Sequence, residues 1–201
     1  MEFAYSFIIP HKNAPDLVAR CVKSIPERAD IEVIVVDDNS FAEKKPTVIH
    51  SRLVMVEVPA QESKGAGHAR NVGLNLAKGR WLLFADCDDY YEEGFINELD
   101  AFKESSNDIV CFSSYYNYNP QRPGDTSPKN RWEIGLQKYK GSPKSRIDLM
   151  RLLLSTNEPW NKMFKADFVR RNKIYFEEIP ICNDAYFSII NCTKASNLSS
   201  G

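Results

Sequence analysis

Two groups of acidic residues stand directly after strand-like apolar segments of the sequence. They are Asp37 and Asp38 after the segment 31–36, and Asp86, Asp88 and Asp89 after the segment 81–85. Three carboxylates within four residues repel one another unless a cation compensates their charge. Mg²⁺ and Mn²⁺ prefer oxygen ligands and often share them between carboxylates and substrate phosphates. The second group therefore predicts a metal site for a diphosphate; the alternative is that these residues only start turns.

The segment 64–73 contains glycines whose spacing partly matches a phosphate-binding loop. A dinucleotide-binding loop has the form GxGxxG directly after the first strand. Here Arg70 occupies the third glycine position, the segment follows the third apolar run, and the sequence has no Walker-type loop. We therefore reject NAD and Walker-type ATP binding, and we interpret Gly65 and Gly67 as a flexible start of a helix. Arg70 in the first turn of that helix would oppose the helix dipole, which indicates an anionic partner.

Five short apolar segments predict strands. They are Tyr5–Pro10, Ile31–Val36, Leu53–Val58, Trp81–Ala85 and Ile109–Ser113. Amphipathic segments predict helices over Asp16–Ile25, Gly67–Lys78 and Glu92–Lys103, the first with Asn13 as its cap and Pro15 in its first turn. Alternating strands and helices indicate an α/β fold with a mostly parallel sheet flanked by helices, in which ligands bind at the carboxyl ends of the strands.

The second half of the chain is less regular. Seven Lys or Arg but only two Asp or Glu lie in the stretch 120–146, which predicts a solvated loop or a contact with a phosphate-bearing acceptor. Helical patterns return at Ile147–Leu154, Ala166–Asn172 and Asp184–Cys192. The last eight residues, KASNLSSG, are polar and predict no regular structure.

Length and composition limit the remaining possibilities. A chain of 201 residues with 43% hydrophobic and 26% charged residues is typical of a single soluble globular domain. The net charge of −1 provides no general attraction for nucleic acid. Five scattered cysteines predict neither a disulfide framework nor a zinc site, and the first apolar run is too short for a signal peptide. These features predict a cytoplasmic protein.

A series of motifs occurs in a fixed order between about residues 5 and 190. They are Pro10-x-x-Asn13, Val36-Asp37-Asp38-Asn39-Ser40, Ala69-Arg70-Asn71-x-Gly73-Leu74-x-x-Ala77-x-Gly79, Phe84-Ala85-Asp86-Cys87-Asp88-Asp89, Trp160-Asn-Lys-Met-Phe-Lys165 and Asn183-Asp184-x-x-Phe187. Each motif alone is weak evidence. Together and in this order they make the chain similar to the family 2 glycosyltransferases of the GT-A fold.

The resemblance implies an inverting, metal-assisted transfer of a sugar from a nucleotide-diphospho donor, with Mn²⁺ or Mg²⁺ as the cofactor. By the family pattern, the nucleotide-binding residues are Pro10, Lys12, Asn13, Asp38, Arg70 and Asp86. Asp88 would hold the metal and Asp184 would be the catalytic base. Contacts with the donor or acceptor sugar fall to Asp89, Trp160, Lys162 and Asn183.

The resemblance also implies the partners of the protein. We expect a UDP-sugar as the donor and a saccharide or lipid-linked saccharide as the acceptor, in polysaccharide or glycolipid assembly. Residues 1–114 would bind the nucleotide sugar, and residues 115–201 would form the acceptor side of the same domain. A lipid-linked acceptor would bring the protein to the inner face of the membrane as a peripheral protein.

Four residues depart from the family pattern. His11 and Lys12 stand where the family often has a small residue and an aromatic one, so Lys12 is also a candidate for contact with a donor phosphate or uronate. Asn183 replaces the usual Glu before the base. Cys87 is unusual within the acidic motif, and we interpret it as a buried, unreactive thiol.

Three other functions are compatible with parts of the sequence. A non-catalytic or degenerate module that binds a sugar nucleotide is the main alternative, because Asn183 departs from the pattern. A phosphatase that forms an aspartyl phosphate would need its Asp-x-Asp strand near the beginning of the core and Thr or Val where this chain has Tyr90. A receiver-like domain would need its paired acids after the first strand, not the second.

Overall fold

The computed structural model describes residues 3–112, 145, 147–148 and 158–200 of the chain. The basic stretch 120–146 and the predicted helix Ile147–Leu154 lie almost wholly outside these residues. The described strands are β1 (Tyr5–His11), β2 (Ile31–Asp37), β3 (Leu53–Glu57), β4 (Trp81–Phe84), β5 (Ile109–Cys111), β6 (Lys162–Lys165) and β7 (Leu198–Ser200). The described helices are α1 (Pro15–Lys23), α2 (Ala66–Leu76), α3 (Phe95–Asp100), α4 (Ala166–Arg171) and α5 (Ala185–Lys194), with 3₁₀ turns at Ala42–Lys44 and Ala60–Glu62.

The seven strands form one sheet in the order β3-β2-β1-β4-β6-β5-β7. β1 pairs in parallel with β2 on one side and with β4 on the other, and β3 extends the parallel order beside β2. β6 is antiparallel to β4 and β5, and β7 is parallel to β5. The predicted mostly parallel sheet flanked by helices is therefore confirmed. The strand order reverses between β1 and β4, which is where ligands bind in open α/β sheets.

The central strands are covered on both faces. Every residue of β1 and β2 is buried, as expected for parallel strands between two layers of helices. Alternate side chains enter two separate cores. One core contains Ile8, Ile34, Val36 and Phe84 with side chains from α2, α4 and α5. The other contains Phe7, Ile9, Val33 and Val35 with side chains from α1 and α3.

The structure differs from the sequence predictions in the last part of the sheet. The segment Trp160–Lys165 was identified only by its motif, yet its last four residues form β6 between β4 and β5. The polar ending was predicted to lack structure, but Leu198–Ser200 pair with β5 as an edge strand. This pairing uses main-chain groups, so it does not require apolar side chains. The predicted helix Glu92–Lys103 is shorter, because α3 spans only Phe95–Asp100.

Two predictions about helix starts are also wrong. Asn13 does not cap α1, because Ala14 is the N-cap residue and Asn13 adopts a left-handed conformation with φ of 56°. Its side-chain oxygen instead accepts a hydrogen bond of 2.8 Å from the backbone N–H of Phe41. Pro15 begins α1 as expected. Arg70 is the fifth residue of α2, not a first-turn residue, so the argument from an uncompensated helix dipole does not apply.

A cluster of four phenylalanines joins the sheet to α5 and to the segment before it. They are Phe84 in β4, Phe164 in β6, Phe176 in the segment between α4 and α5, and Phe187 in α5. The rings of Phe176 and Phe187 stack with centroids 3.9 Å apart, and Phe84 and Phe164 each meet Phe187 edge-on at 5.2 Å. Such pairs add to the energy of burial. The cluster therefore fixes the first turn of α5, and with it Asp184 at the N-cap.

We predict that Phe187→Ala lowers the free energy of unfolding by about 3–5 kcal/mol, because it removes a fully buried ring from this cluster. The matched control is Tyr186→Ala, whose side chain is 49% exposed and should change stability by less than about 0.5 kcal/mol. Both values are measured by chemical denaturation. Equal losses for the two variants would show that the cluster does not hold α5.

Candidate functional site

A cavity of about 290 Å³ opens at the carboxyl ends of β1 and β4, where the strand order reverses. Loops that follow β1, β2 and β4 and the start of α2 form its walls. The lining residues are Pro10, His11, Lys12, Asp38, Gly65, Ala66, Arg70, Asp86, Cys87 and Asp88. The structure thus brings together five of the six predicted nucleotide-binding residues and the predicted metal ligand. The sixth, Asn13, does not line the cavity.

Asp38 is buried at one end of the cavity, with 2% of its surface exposed. Its Oδ2 accepts hydrogen bonds from the ammonium of Lys12 at 3.1 Å and from the backbone N–H of Gly65 at 3.0 Å. Its Oδ1 has no hydrogen-bond partner within the described part of the chain. A buried carboxylate oxygen can only accept hydrogen bonds, and leaving it unpaired is costly. The carboxylate of Asp38 in the cavity lining is therefore a candidate acceptor for an N–H or O–H donor of a ligand.

Gly65 makes this arrangement possible by its backbone conformation. It is the N-cap of α2 and has a φ of 90°, a backbone conformation that residues other than glycine rarely adopt. Lys12 also donates a 3.0 Å hydrogen bond to Ser63, so the loop before α2 is tied to β1 and β2. The interpretation of Gly65 as mere flexibility is therefore replaced by a defined role.

The acidic motif after β4 forms a compact cluster. One carboxylate oxygen from each of Asp86, Asp88 and Asp89 lies within 4.8 Å of the other two. Asp88 is exposed, and the other two are half-buried. Arg20 in α1 donates a hydrogen bond to the backbone carbonyl of Asp88, which anchors the loop. Three carboxylates that converge in this way match the oxygen ligands of Mg²⁺ or Mn²⁺, so these residues fit a divalent cation.

Arg70 connects the two halves of the site. Its guanidinium donates to Asp86 Oδ1 at 2.5 Å and to Asn183 Oδ1 at 2.6 Å. The side chain is 5% exposed and lies over the ring of Phe176, with its Cζ 5.4 Å from the ring centroid. Arg70 therefore links the acidic motif to the residue directly before Asp184. Asn183 accepts this bond as a neutral amide where the family usually has a carboxylate.

α2 also holds the segment that leads to Asp184. Asn71 accepts a 2.8 Å hydrogen bond from the N–H of Phe176 and donates one of 3.0 Å to its carbonyl. Gly67 packs so closely that an added Cβ would lie 2.0 Å from the carbonyl oxygen of Glu177. Glu178 accepts from His68 and Lys64, and these bonds lower the pKa of Glu178 to about 2. The glycine and asparagine of this motif are thus explained by packing.

The remaining predicted residues lie beyond the lining of the cavity. Asp184 and Trp160 are half-buried. Lys162 is 1% exposed, and its ammonium donates to the carbonyl of Glu158 at 2.7 Å and to Asn161 Oδ1 at 2.8 Å. Burial lowers the pKa of Lys162, and the nearby Cys111, Cys192, Glu158 and Asp184 oppose that shift. Lys162 is therefore a buried residue of β6 whose ammonium is bonded within the protein.

Four residues that line the cavity were not among the predicted site residues: His11, Gly65, Ala66 and Cys87. His11 and Cys87 stand next to predicted residues, and Gly65 belongs to the glycine-containing segment 64–73, whereas Ala66 gave no signal in the sequence. Burial raises the pKa of the Cys87 thiol to about 11, so the thiol is protonated near neutral pH and is not a nucleophile. This agrees with the interpretation of Cys87 as an unreactive residue.

Comparison with known proteins explains this geometry. The model of the family named Glycosyl transferase family 2 matches residues 6–172. The chain belongs to glycosyl transferase family 2. The match covers most of β1, all of β2 to β4, the acidic motif and α4, and thus confirms the family resemblance. The last motif, at residues 183–187, lies beyond the matched residues.

Curated relatives are longer than this family 2 chain. A poly(ribitol-phosphate) beta-glucosyltransferase from Bacillus spizizenii is 27% identical over 205 residues, which cover 96% of this chain and 30% of the relative. Glycosyltransferase GlyG from Streptococcus pneumoniae is 31% identical over 125 residues, which cover 59% of this chain and 41% of the relative. The chain thus spans less than half the length of these two relatives.

Solved structures confirm the GT-A fold. TarS residues 1–349 from S. aureus, in complex with UDP-GlcNAc, match with a TM-score of 0.77 at 22% identity, over 100% of this chain and 56% of that one. The mannosyltransferase PcManGT from Pyrobaculum calidifontis, in complex with GDP-Man and Mn²⁺, matches with a TM-score of 0.63 at 18% identity, over 100% and 55%. Among the residues described for this chain, none of the helices has the length and apolar character to cross a bilayer.

Proposed function

We propose that this family 2 chain is the catalytic domain of an inverting glycosyltransferase that uses a UDP-sugar. One observation carries the proposal: the same cavity is lined by the buried carboxylate of Asp38 and by Asp86 and Asp88 of the three-carboxylate cluster. The first suits a nucleobase and the second suits a metal-bound diphosphate. The complex of TarS with UDP-GlcNAc supports the choice of donor.

The chemistry of Asp38 favours some bases over others. Uracil, thymine and guanine carry an N–H at the centre of their pairing edge, whereas cytosine and adenine carry an unprotonated nitrogen there. The carboxylate of Asp38 can only accept hydrogen bonds, so it favours uracil, thymine and guanine. With cytosine or adenine, two hydrogen-bond acceptors would face each other. Within this group, the compared proteins include one complex with UDP-GlcNAc and one with GDP-Man. UDP is favoured because the UDP-GlcNAc complex has the higher TM-score and a further relative is named for UDP-Glc.

Charge in the cavity supports the need for a metal. The lining includes two cations, Lys12 and Arg70, and three carboxylates, Asp38, Asp86 and Asp88. The net charge of these side chains is negative before any ligand binds, so binding of a diphosphate requires an additional cation. Asp86, Asp88 and Asp89 would hold Mn²⁺ or Mg²⁺, which, when bound, would neutralise the charge of the leaving diphosphate.

The reaction would be a single displacement. An acceptor hydroxyl attacks the anomeric carbon of the donor sugar while the bond from that carbon to the diphosphate oxygen breaks, and UDP leaves with the electron pair. Asp184 takes the hydroxyl proton as general base. Attack from the face opposite to UDP inverts the anomeric configuration. Arg70 would hold the segment that carries Asp184 at a fixed distance from the acidic motif, because it bonds both Asn183 and Asp86.

The acceptor is proposed by class. Relatives named as poly(ribitol-phosphate) transferases, and one named as acting on a sugar attached to diphosphoundecaprenol, favour a polymeric or lipid-linked saccharide. Like Asp184, three of the predicted sugar-contact residues lie in the second half of the sequence: Trp160, Lys162 and Asn183. We propose that they serve the acceptor half of the site. A lipid-linked acceptor would place the reaction at the cytoplasmic face of a membrane.

We predict that Asp184→Asn lowers the rate of UDP release from a UDP-sugar by about 100-fold or more, because the amide cannot accept the proton. Its affinity for UDP should stay within about threefold of the wild-type value, since Asp184 does not line the cavity. UDP release is measured with a coupled assay, and affinity by calorimetry. The matched control is Asp167→Asn, an acidic residue in the first turn of α4 that is exposed.

This comparison also separates the enzyme from a binding module. If Asp184 only complements the dipole of α5, both variants should behave alike. A protein that binds UDP but releases none from any UDP-sugar, in wild type and variants alike, would favour a non-catalytic sugar-nucleotide-binding module.

We predict that Asp38→Asn reduces the preference for UDP over CDP by about tenfold or more, because an amide can donate as well as accept. The measurement is competition of UDP and CDP for the same site, in wild type and variant. An unchanged preference would show that Asp38 does not contact the base. Ser63→Ala is the control, because it removes a hydrogen-bond partner of Lys12 and of the Asp38 backbone carbonyl but leaves the Asp38 carboxylate in place.

A further inference from the structure

His11 is a buried histidine at the end of β1. It is 2% exposed and lines the cavity with one side. Its Nδ1 lies 2.9 Å from Asp37 Oδ1, at the end of the neighbouring strand β2. Its Nε2 accepts a 3.0 Å hydrogen bond from the backbone N–H of Ala14. Because Nε2 is an acceptor, the proton of the neutral ring is on Nδ1 and is donated to Asp37.

Ser40 closes the same network from the loop after β2. Its hydroxyl donates to Asp37 Oδ1 and accepts a 2.7 Å hydrogen bond from the backbone N–H of Asn13. The Ser, His and Asp side chains resemble a hydrolytic triad in type but not in arrangement, because both ring nitrogens and the hydroxyl are occupied by bonds within the protein. The network therefore does not perform nucleophilic chemistry.

The bonds of this network converge on the turn between β1 and α1. Two successive amides of that turn, those of Asn13 and Ala14, donate to Ser40 and His11. Asn13 has a φ of 56°, which is unusual for a residue other than glycine and has to be held by its surroundings. Lys12, directly before it, bonds Asp38 across the cavity. The position of Lys12 therefore depends on the bonds that fix residues 13 and 14.

We propose that His11 is a positioning residue for the nucleobase of the donor, acting through the turn 11–14. The neutral imidazole connects the turn to Asp37. The turn then holds Lys12 within hydrogen-bond distance of Asp38. This inference rests on the proposed binding of a UDP-sugar in the cavity. It assigns a function to a buried residue that the reaction itself does not use.

The test compares two substitutions of His11 that break different bonds. In His11→Asn, the side-chain amide can still donate to Asp37 but is too short to accept from Ala14. In His11→Gln, the amide oxygen reaches the position of Nε2 and can accept from Ala14. The matched control is His50→Asn, since His50 is also buried but accepts from Arg52 and lies next to Pro26, outside the cavity.

Two quantities are measured for each variant: UDP affinity by calorimetry and amide hydrogen exchange of residues 12–14. We expect His11→Asn to speed exchange at Ala14 and to weaken UDP binding by about fivefold to tenfold, the usual effect of one hydrogen bond. His11→Gln, which keeps an acceptor for Ala14 but loses the bond to Asp37, should recover part of both effects. His50→Asn should change neither.

Two results would overturn the inference while leaving the proposed function intact. One is wild-type UDP affinity in a folded His11→Asn protein. The other is faster exchange at Ala14 with no loss of affinity, which would show that the turn does not position the base. If the wild-type protein binds no nucleotide, the proposed function and this inference both fail, and the exchange data still show whether His11 holds the turn.

Discussion

The site depends on the parallel pairing of β1 with strands on both of its sides. Seven residues of β1 are in register with β2, and four are in register with β4, so the three carboxyl ends meet at one edge of the sheet. This backbone pairing places Lys12, Asp38 and Asp86 around one cavity although they are far apart in sequence. Both faces of these strands are covered by apolar helices. The cavity is therefore built at the ends of paired strands that are buried on both faces.

α2 provides the second constraint, because it connects the cavity to the segment that leads to Asp184. Arg70 bonds the acidic motif on one side and Asn183 on the other, while Asn71 and Gly67 hold residues 176 and 177. The phenylalanine cluster then fixes α5 against the sheet. A substitution in α2 should consequently affect donor binding and the position of the proposed base together.

Most of the donor half could be predicted from the sequence, because its strands are continuous apolar runs and its polar residues follow strand ends. β6 and β7 could not, because their strands are short and depend on main-chain pairing with distant partners rather than on a local apolar pattern. The role of His11 was not visible for a similar reason. The role of His11 depends on its contacts with Asp37 and Ser40. These residues lie 26 and 29 positions away in the sequence and become its neighbours only when β1 and β2 pair.

The central claim is that the cavity binds a nucleoside diphosphate with the help of a metal at the acidic cluster. Calorimetric titration of the wild-type protein with UDP, with and without Mn²⁺, tests this claim most directly. The account predicts binding that Mn²⁺ strengthens, because the lining carboxylates repel a diphosphate unless a cation is present. Failure of the folded protein to bind UDP in the presence of Mn²⁺, or binding that Mn²⁺ leaves unchanged, would contradict it.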